Sequence, residues 1–391
     1  MTWDAIVLGA GAAGMFAAAE AAKRGRRVLV LDHAAKPGEK IRISGGGRCN
    51  FTNLHARPET FLSENPRFAA SALSRYTPLD FVALMEAHGL GWHEKTLGQL
   101  FCDQRSGAVV TMLLTEMGDA GATLRLSEPV ERVERIEGGF RVLSASGAEE
   151  AEALIVATGG KSIPKMGATG FAYDLARQFG LAVTETRPAL VPFTLPPALL
   201  ERLRPLVGVA AEAEVTGGGA SFAEGMLFTH RGLSGPAMLQ VSSFWREGEA
   251  LRVAFGAREA ALAALKAARA EGPKRALRTA LAAFLPKALA DWIEAETGES
   301  RPLAELSDRR LAEIAAFVSG WEVKPTGTEG YRTAEVTLGG VSTGALDGKS
   351  LAARAVPGLH FIGECVDVTG WLGGYNFQWA WASGFAAGRA V

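Results

Sequence analysis

Glycines at positions 9, 11 and 14, followed by the carboxylate of Asp32, have the spacing that holds a dinucleotide. Gly9 permits a tight turn from strand to helix, and Gly11 lets the backbone approach a pyrophosphate. Gly14 lets that helix pack closely on its strand. The first N–H groups of the helix favour a bound phosphate. Asp32 stands about twenty residues beyond the turn, where a carboxylate accepts hydrogen bonds from a ribose.

Two later groups decide between a flavin and a nicotinamide dinucleotide. Thr158, Gly159 and Gly160 end one apolar run, and Gly363 and Glu364 end another. Gly373, Gly374, Tyr375 and Asn376 then open a helix-like run over 377–389. In folds of the glutathione-reductase type, the first group lies near the adenosine and the late carboxylate takes the ribityl hydroxyls. The following helix aims its N-terminus at the flavin N1/C2=O edge, where negative charge gathers on reduction. Three such pieces in this order point to FAD.

Residues 44–53, SGGGRCNFTN, cannot form a stable helix interior and have no apolar face to bury. The backbone of Gly46 and Gly47 and the guanidinium of Arg48 suit an anion. Asn50 and Asn53 can stabilise the turn through side-chain bonds to the backbone. Cys49 has two readings: a thiol that gives a proton to a substrate over the flavin, or a side chain that packs the loop. His230, in FTHRGLSGP, is the second candidate acid, and Arg231 beside it can hold an anion. The same stretch also reads as a turn that fixes a domain junction. The remaining histidines lack ligand-like spacing, and no metal site is expected.

The elements that must position these groups are legible. Residues 4–8, 27–31, 153–157 and 358–362 read as buried parallel strands, and 15–23 as an alanine-rich helix. The strands come from both ends of the chain, so the nucleotide domain is discontinuous. Prolines 188, 192, 196 and 197 mark a crossing into an insertion. Residues 207–216 and 220–228 pair as a hairpin around a Gly-Gly-Gly turn, and 257–317 hold three or four short helices broken at Pro273, Pro286 and Pro302. The expected segments are 1–190 for the FAD domain and 191–256 for an inserted β domain. A helical domain over 257–320, a return strand within 321–338 and the rest of the FAD domain over 339–391 follow.

With 391 residues and a net charge of −1, bulk electrostatics favours neither nucleic acid nor membrane. Cations at 266, 269, 274, 275 and 278 make the helical segment locally basic. That face is either solvated or a landing surface for RNA. Three cysteines, none in a Cys-x-x-Cys pair, exclude a disulfide framework and suit a reducing cytoplasm. No apolar run reaches the roughly 20 residues of a membrane span, so no stable membrane association is expected.

Taken together, residues 9–14, 43–53, 157–160, 228–236, 339–341, 363–364 and 373–376 make the chain resemble the BaiN/RdsA (YhiN-like) flavoproteins. The resemblance implies a Rossmann-type α/β FAD domain with an inserted β-barrel-like domain and a small helical domain. It also implies flavin-dependent reduction of activated C=C bonds, in ribosomal RNA uracil or in steroid-type metabolites. The family commonly has Glu where this chain has Asp32, a change that keeps a ribose-binding carboxylate. Ala13, Lys40 and Val130 complete the expected cofactor contacts. NAD(P)H visiting transiently, or a partner protein, would supply electrons. An RNA-binding protein with structural FAD and an oxidase using O2 are the competing classes.

Overall fold

Ala5, Ile6, Val7 and Leu8 are all buried, on both faces of the strand Trp3–Leu8, because that strand lies inside a seven-stranded sheet. The computed structural model describes residues 2–391. In it Trp3–Leu8 pairs in parallel with Val28–Leu31 on one side and with the second half of Gly147–Val156 on the other. Thr123–Arg125 and Leu359–Phe361 extend the parallel part at its two ends. The first half of Gly147–Val156 instead joins an antiparallel ribbon with Gly139–Ser144 and Val130–Ile136. This is a Rossmann-type domain assembled from both ends of the chain.

The helix Ala12–Ala22 packs on the C-terminal helix Tyr375–Gly388. Small residues set that distance: a methyl group at Gly384 would lie 2.7 Å from the Ala13 carbonyl oxygen. Trp381 stacks on Phe81, with ring centroids 4.3 Å apart, and its indole N–H donates to Phe51 O at 2.8 Å. The aromatic core therefore ties the C-terminal helix to the strand Asn50–Asn53.

The chain forms two compact units, one ending at Pro188 and resuming over Glu335–Val391, the other Ala189–Ala334. In the second unit, Ala210–Gly217 and Ala220–Phe228 form the expected hairpin, with Ala211, Ala213 and Val215 turned inward. The sheet is antiparallel and seven-stranded. It begins at Trp321–Val323 and ends at Gly327–Thr328. Its two ends are consecutive in the chain, separated by three residues. Four Cα–Cα steps span at most about 15 Å, so the sheet must curl into a barrel-like form.

Four helices, Arg258–Glu271, Leu277–Leu281, Lys287–Glu296 and Asp308–Val318, share this unit with the sheet. The strand Val336–Leu338 lies in the first unit, with the FAD domain. Residues 340–342 form no strand. Val341 makes isolated bridges to Val183 and Val366, and Gly340 lies tight against the Cys365 carbonyl.

Candidate cofactor site

The glycine turn behaves as its residue types require. Gly9 has φ +104°, and a methyl group there would lie 2.6 Å from the Ala157 carbonyl oxygen. A methyl at Gly14 would collide with Gly9 O, whereas one at Gly11 would meet nothing within 4 Å. The space before Gly11 is thus open on the side where the helix Ala12–Ala22 starts, with no side chain capping it. The first helical N–H groups have no partners within the helix. Open space before unpartnered N–H groups fits a pyrophosphate.

Asp32 is fixed at the end of Val28–Leu31 by two backbone donors, Ala10 N at 2.6 Å and Ala34 N at 2.8 Å. Each carboxylate oxygen keeps further acceptor capacity for a ribose. Ser127 N and Glu128 N bond to the Ala34 and Asp32 carbonyls, which brings the start of the strand at Val130 alongside. Thr158 follows Val156 and Ala157, and its hydroxyl is buried without a hydrogen-bond partner. An orphaned hydroxyl there fits a ligand oxygen or nitrogen.

Glu364 gathers three distant segments. Its Oε2 receives Lys40 Nζ at 2.5 Å, while Oε1 accepts from Ser162 Oγ at 2.9 Å and from Thr337 N at 3.0 Å. Lys40 Nζ also donates to Ser162 Oγ at 2.6 Å. Gly160 is held to this cluster, since a methyl there would lie 2.7 Å from Glu364 Oε1. Ser162 and Thr337 were absent from the expected set. Ser162, two residues past the Gly-Gly pair, carried a signal in its hydroxyl; Thr337 is reached only through the fold.

The SGGGRCNFTN loop meets the start of the C-terminal helix. Asn53 Nδ2 donates to Gly373 O at 2.8 Å, and Thr52 Oγ1 donates to Gln378 Oε1 at 2.6 Å. With its amide nitrogen turned to Thr52 O and Leu100 O, Asn50 accepts from Gly374 N at 3.3 Å. Asn376 closes the turn before the helix by accepting from Gly370 N at 2.8 Å and donating to Gly370 O at 2.9 Å. Tyr375 is buried in the first helical turn.

Within the loop, Gly45, Gly46 and Gly47 take positive φ values, and the helical segment Glu39–Gly47 is interrupted at Ser44–Gly46. Gly46 and Arg48 are exposed. Cys49 is fully buried, at φ +57°. Burial pushes its thiol up to about 12, against a smaller opposing hydrogen bond with Ser44. The side chain faces the protein interior, beside the strand Gln99–Cys102 that pairs with Asn50.

His230 lies in the second unit, exposed with Arg231 at the tip of a tight turn closed by Thr229 N to Gly232 O at 2.8 Å. Arg231 pairs with Glu329 at 3.6 Å. Among the described residues no cluster of His, Cys, Asp and Glu has metal-binding geometry, and no helix is long and apolar enough to cross a membrane.

Comparison with known proteins agrees with this geometry. The chain is 49% identical to a ribosomal RNA dihydrouridine synthase of Escherichia coli K12, over 99% of this chain and 97% of that one. It is 29% identical to a 3-dehydro-bile acid delta(4,6)-reductase of Clostridium scindens, over 98% of each. Among solved structures, an open flavocytochrome c3 fumarate reductase shares the fold, with TM-score 0.50 and 18% identity over 99% of this chain and 77% of that one. The model of the HI0933-like protein Rossmann domain matches residues 3–390, and the chain belongs to that family of FAD-binding oxidoreductases.

Proposed function

We propose that this chain reduces an activated carbon–carbon double bond, and that its substrate is a uracil ring in ribosomal RNA. The observation that carries the reading is the convergence of Lys40, Ser162 and Glu364 in a chain 49% identical, end to end, to a ribosomal RNA dihydrouridine synthase. Dihydrouridine differs from uridine by two hydrogens across one ring bond, so its synthesis is a reduction. The chemistry FAD supplies when bound is hydride transfer from its ring.

The protein's part is to bind and orient. Gly9, Gly11, Ala13 and Gly14 would hold the pyrophosphate, and Asp32 and Val130 the adenosine. Lys40, Ser162 and Glu364 would hold the sugar-alcohol chain, with Gly160 packed against Glu364 and Thr158 and Gly159 on the adenosine side. Gly46, Gly47, Arg48 and Asn50 would add cofactor contacts from the glycine loop. Gly373, Gly374, Tyr375 and Asn376, at the start of the C-terminal helix, would offer its N-terminus to the flavin when bound.

Of the two candidate acids, Cys49 is buried and is assigned to packing, which leaves His230, exposed on the second unit, as the candidate proton donor. His230→Gln should lower kcat by about 100-fold or more, the usual weight of a general acid, while FAD content is retained. An unchanged kcat would remove His230 from the mechanism. Electrons would come from NAD(P)H bound transiently or from a partner protein. Anaerobic mixing with each nicotinamide, followed by flavin absorbance, separates these.

The reading as a whole is tested by mass spectrometry of ribosomal RNA from a deletion strain, where a uridine heavier by two hydrogens should be lost. Intact modification with a changed steroid-like metabolite would favour a small enone, the reading supported by the bile-acid reductase relative. Rapid peroxide release would point to an oxidase. A cytoplasmic setting accompanies the RNA reading.

A further inference from the structure

The basic helical segment is largely neutralised. Lys266 and Arg269 pair with Asp308 at 2.8 and 2.5 Å, Arg275 with Glu271 at 3.6 Å and Arg278 with Glu294 at 3.2 Å. Of the five cations there, Lys274 alone is left without a carboxylate among the described residues. Its field is therefore weak for a polyanion.

Unpaired cations stand instead along the glycine loop of the first unit. Arg48, Lys95 and Arg105 are exposed and, among the described residues, have no carboxylate within ion-pair reach. Phe101 joins them: Lys95 Nζ lies 5.5 Å from its ring centroid, and a methyl at Gly45 would lie 2.7 Å from its edge. Ser106 N donates to Gly47 O at 2.9 Å and Ser106 Oγ to Arg42 O at 2.7 Å, which sets Arg105 next to Arg48. Two exposed carboxylates, Asp103 and Glu94, lie nearby and offset part of this charge, leaving the rim net positive. Asp103 bonds His93 at 2.6 Å, and Glu94 accepts from Gly98 N at 3.0 Å.

Apolar side chains share the rim. Ile43, Leu54 and Leu97, exposed by 52, 38 and 55%, are three of the six large apolar side chains exposed among the described residues. Asn53 Nδ2 to Leu97 O at 3.1 Å and Leu54 N to Gly98 O at 2.9 Å knit their loops together. A double helix keeps its base faces stacked inside, whereas a single strand presents phosphates and base faces together. Cations beside exposed apolar groups suit the single strand.

We infer that this rim, with Arg48, Lys95 and Arg105 on phosphates and Ile43, Leu54 and Leu97 against bases, docks a single-stranded RNA segment. The inference rests on the proposed reduction of an RNA uracil. Because Asn53 also bonds Gly373 O, the same loop connects the docked strand to the start of the C-terminal helix.

The test uses the FAD-loaded enzyme and a uridine-containing single-stranded RNA oligonucleotide, with anisotropy read across a salt series. Lys95→Glu with Arg105→Glu should weaken binding at least about tenfold and flatten the log–log salt slope by about 1.4, roughly 0.7 per lost phosphate contact. Lys95→Gln with Arg105→Gln should shift both in the same direction by less. The matched reversal Lys274→Glu with Lys287→Glu should leave both unchanged. Wild-type binding that is equally strong in the rim variant, or equally weakened in the helical one, overturns the surface and spares the RNA reading. Absence of salt-dependent binding by the wild type overturns both.

Discussion

At the scale of the residue, Gly11 and Gly14 separate two demands that sequence spacing joins. Gly11→Ala adds a methyl that meets no protein atom and asks for no unusual backbone angle. The apoprotein should therefore keep its stability within about 0.5 kcal/mol, while FAD affinity falls. Gly14→Ala drives a methyl into Gly9 O and should lower both. Chemical denaturation of apoprotein and FAD titration read the two effects apart. Cys49 makes a different prediction. With its thiol raised to about 12 by burial, it should resist alkylation in the native enzyme at neutral pH. Cys49→Ala should keep turnover while costing about 1–2 kcal/mol of stability. Rapid labelling, or lost turnover with normal FAD content, would return the thiol to the chemistry.

At the scale of the element, the start of the C-terminal helix depends on a turn that one side chain closes. Asn376 makes a reciprocal pair of bonds with Gly370, and Asn53 and Asn50 reach the next two glycines. Asn376→Ala should cost about 1–3 kcal/mol and weaken FAD binding, because the helix N-terminus loses its fixed approach. Unchanged FAD affinity would mean that the turn holds its form through the loop contacts alone. The glycine loop was readable as a loop from composition. Its attachment to residues more than 300 positions away was not, because hydrogen bonds of that range leave no local pattern.

At the scale of the whole molecule, the second unit carries its own acid-sensitive brace. Arg301 grips Glu299 through both carboxylate oxygens at 2.9 Å, and Arg310 adds a bond at 3.2 Å. The Arg301 hydrogen bonds hold the Glu299 carboxyl down to about 2, from an ordinary 4.5. A depressed carboxyl pKa stabilises the fold fully above the unfolded value. That contribution is lost as pH falls from about 4.5 to about 2, where the unfolded chain takes up the proton first. Glu299→Gln should thus lower Tm at neutral pH, and the gap from wild type should close on acidification through this window. A gap that persists at the acid end would mean that the brace acts through packing rather than charge.

The sequence by itself determined the nucleotide fold and its discontinuity, and it named the residues proposed to hold the cofactor. These follow from local rules: glycines where backbone must approach, carboxylates at strand ends, and apolar runs of strand length. The tertiary structure alone decided the Lys40–Ser162–Glu364 cluster and the inward side of Cys49. It also decided which cations remain unpaired. Each depends on which distant residue comes within a few ångströms, and a basic run in sequence carries no record of the carboxylates that fold against it. The loop SGGGRCNFTN shows both sides. Its glycines were legible as turn formers, but Asn50–Asn53 is a strand with Phe51 fully buried rather than a stretch with nothing apolar to bury. The burial of Cys49 became visible only once the strand behind it was in place.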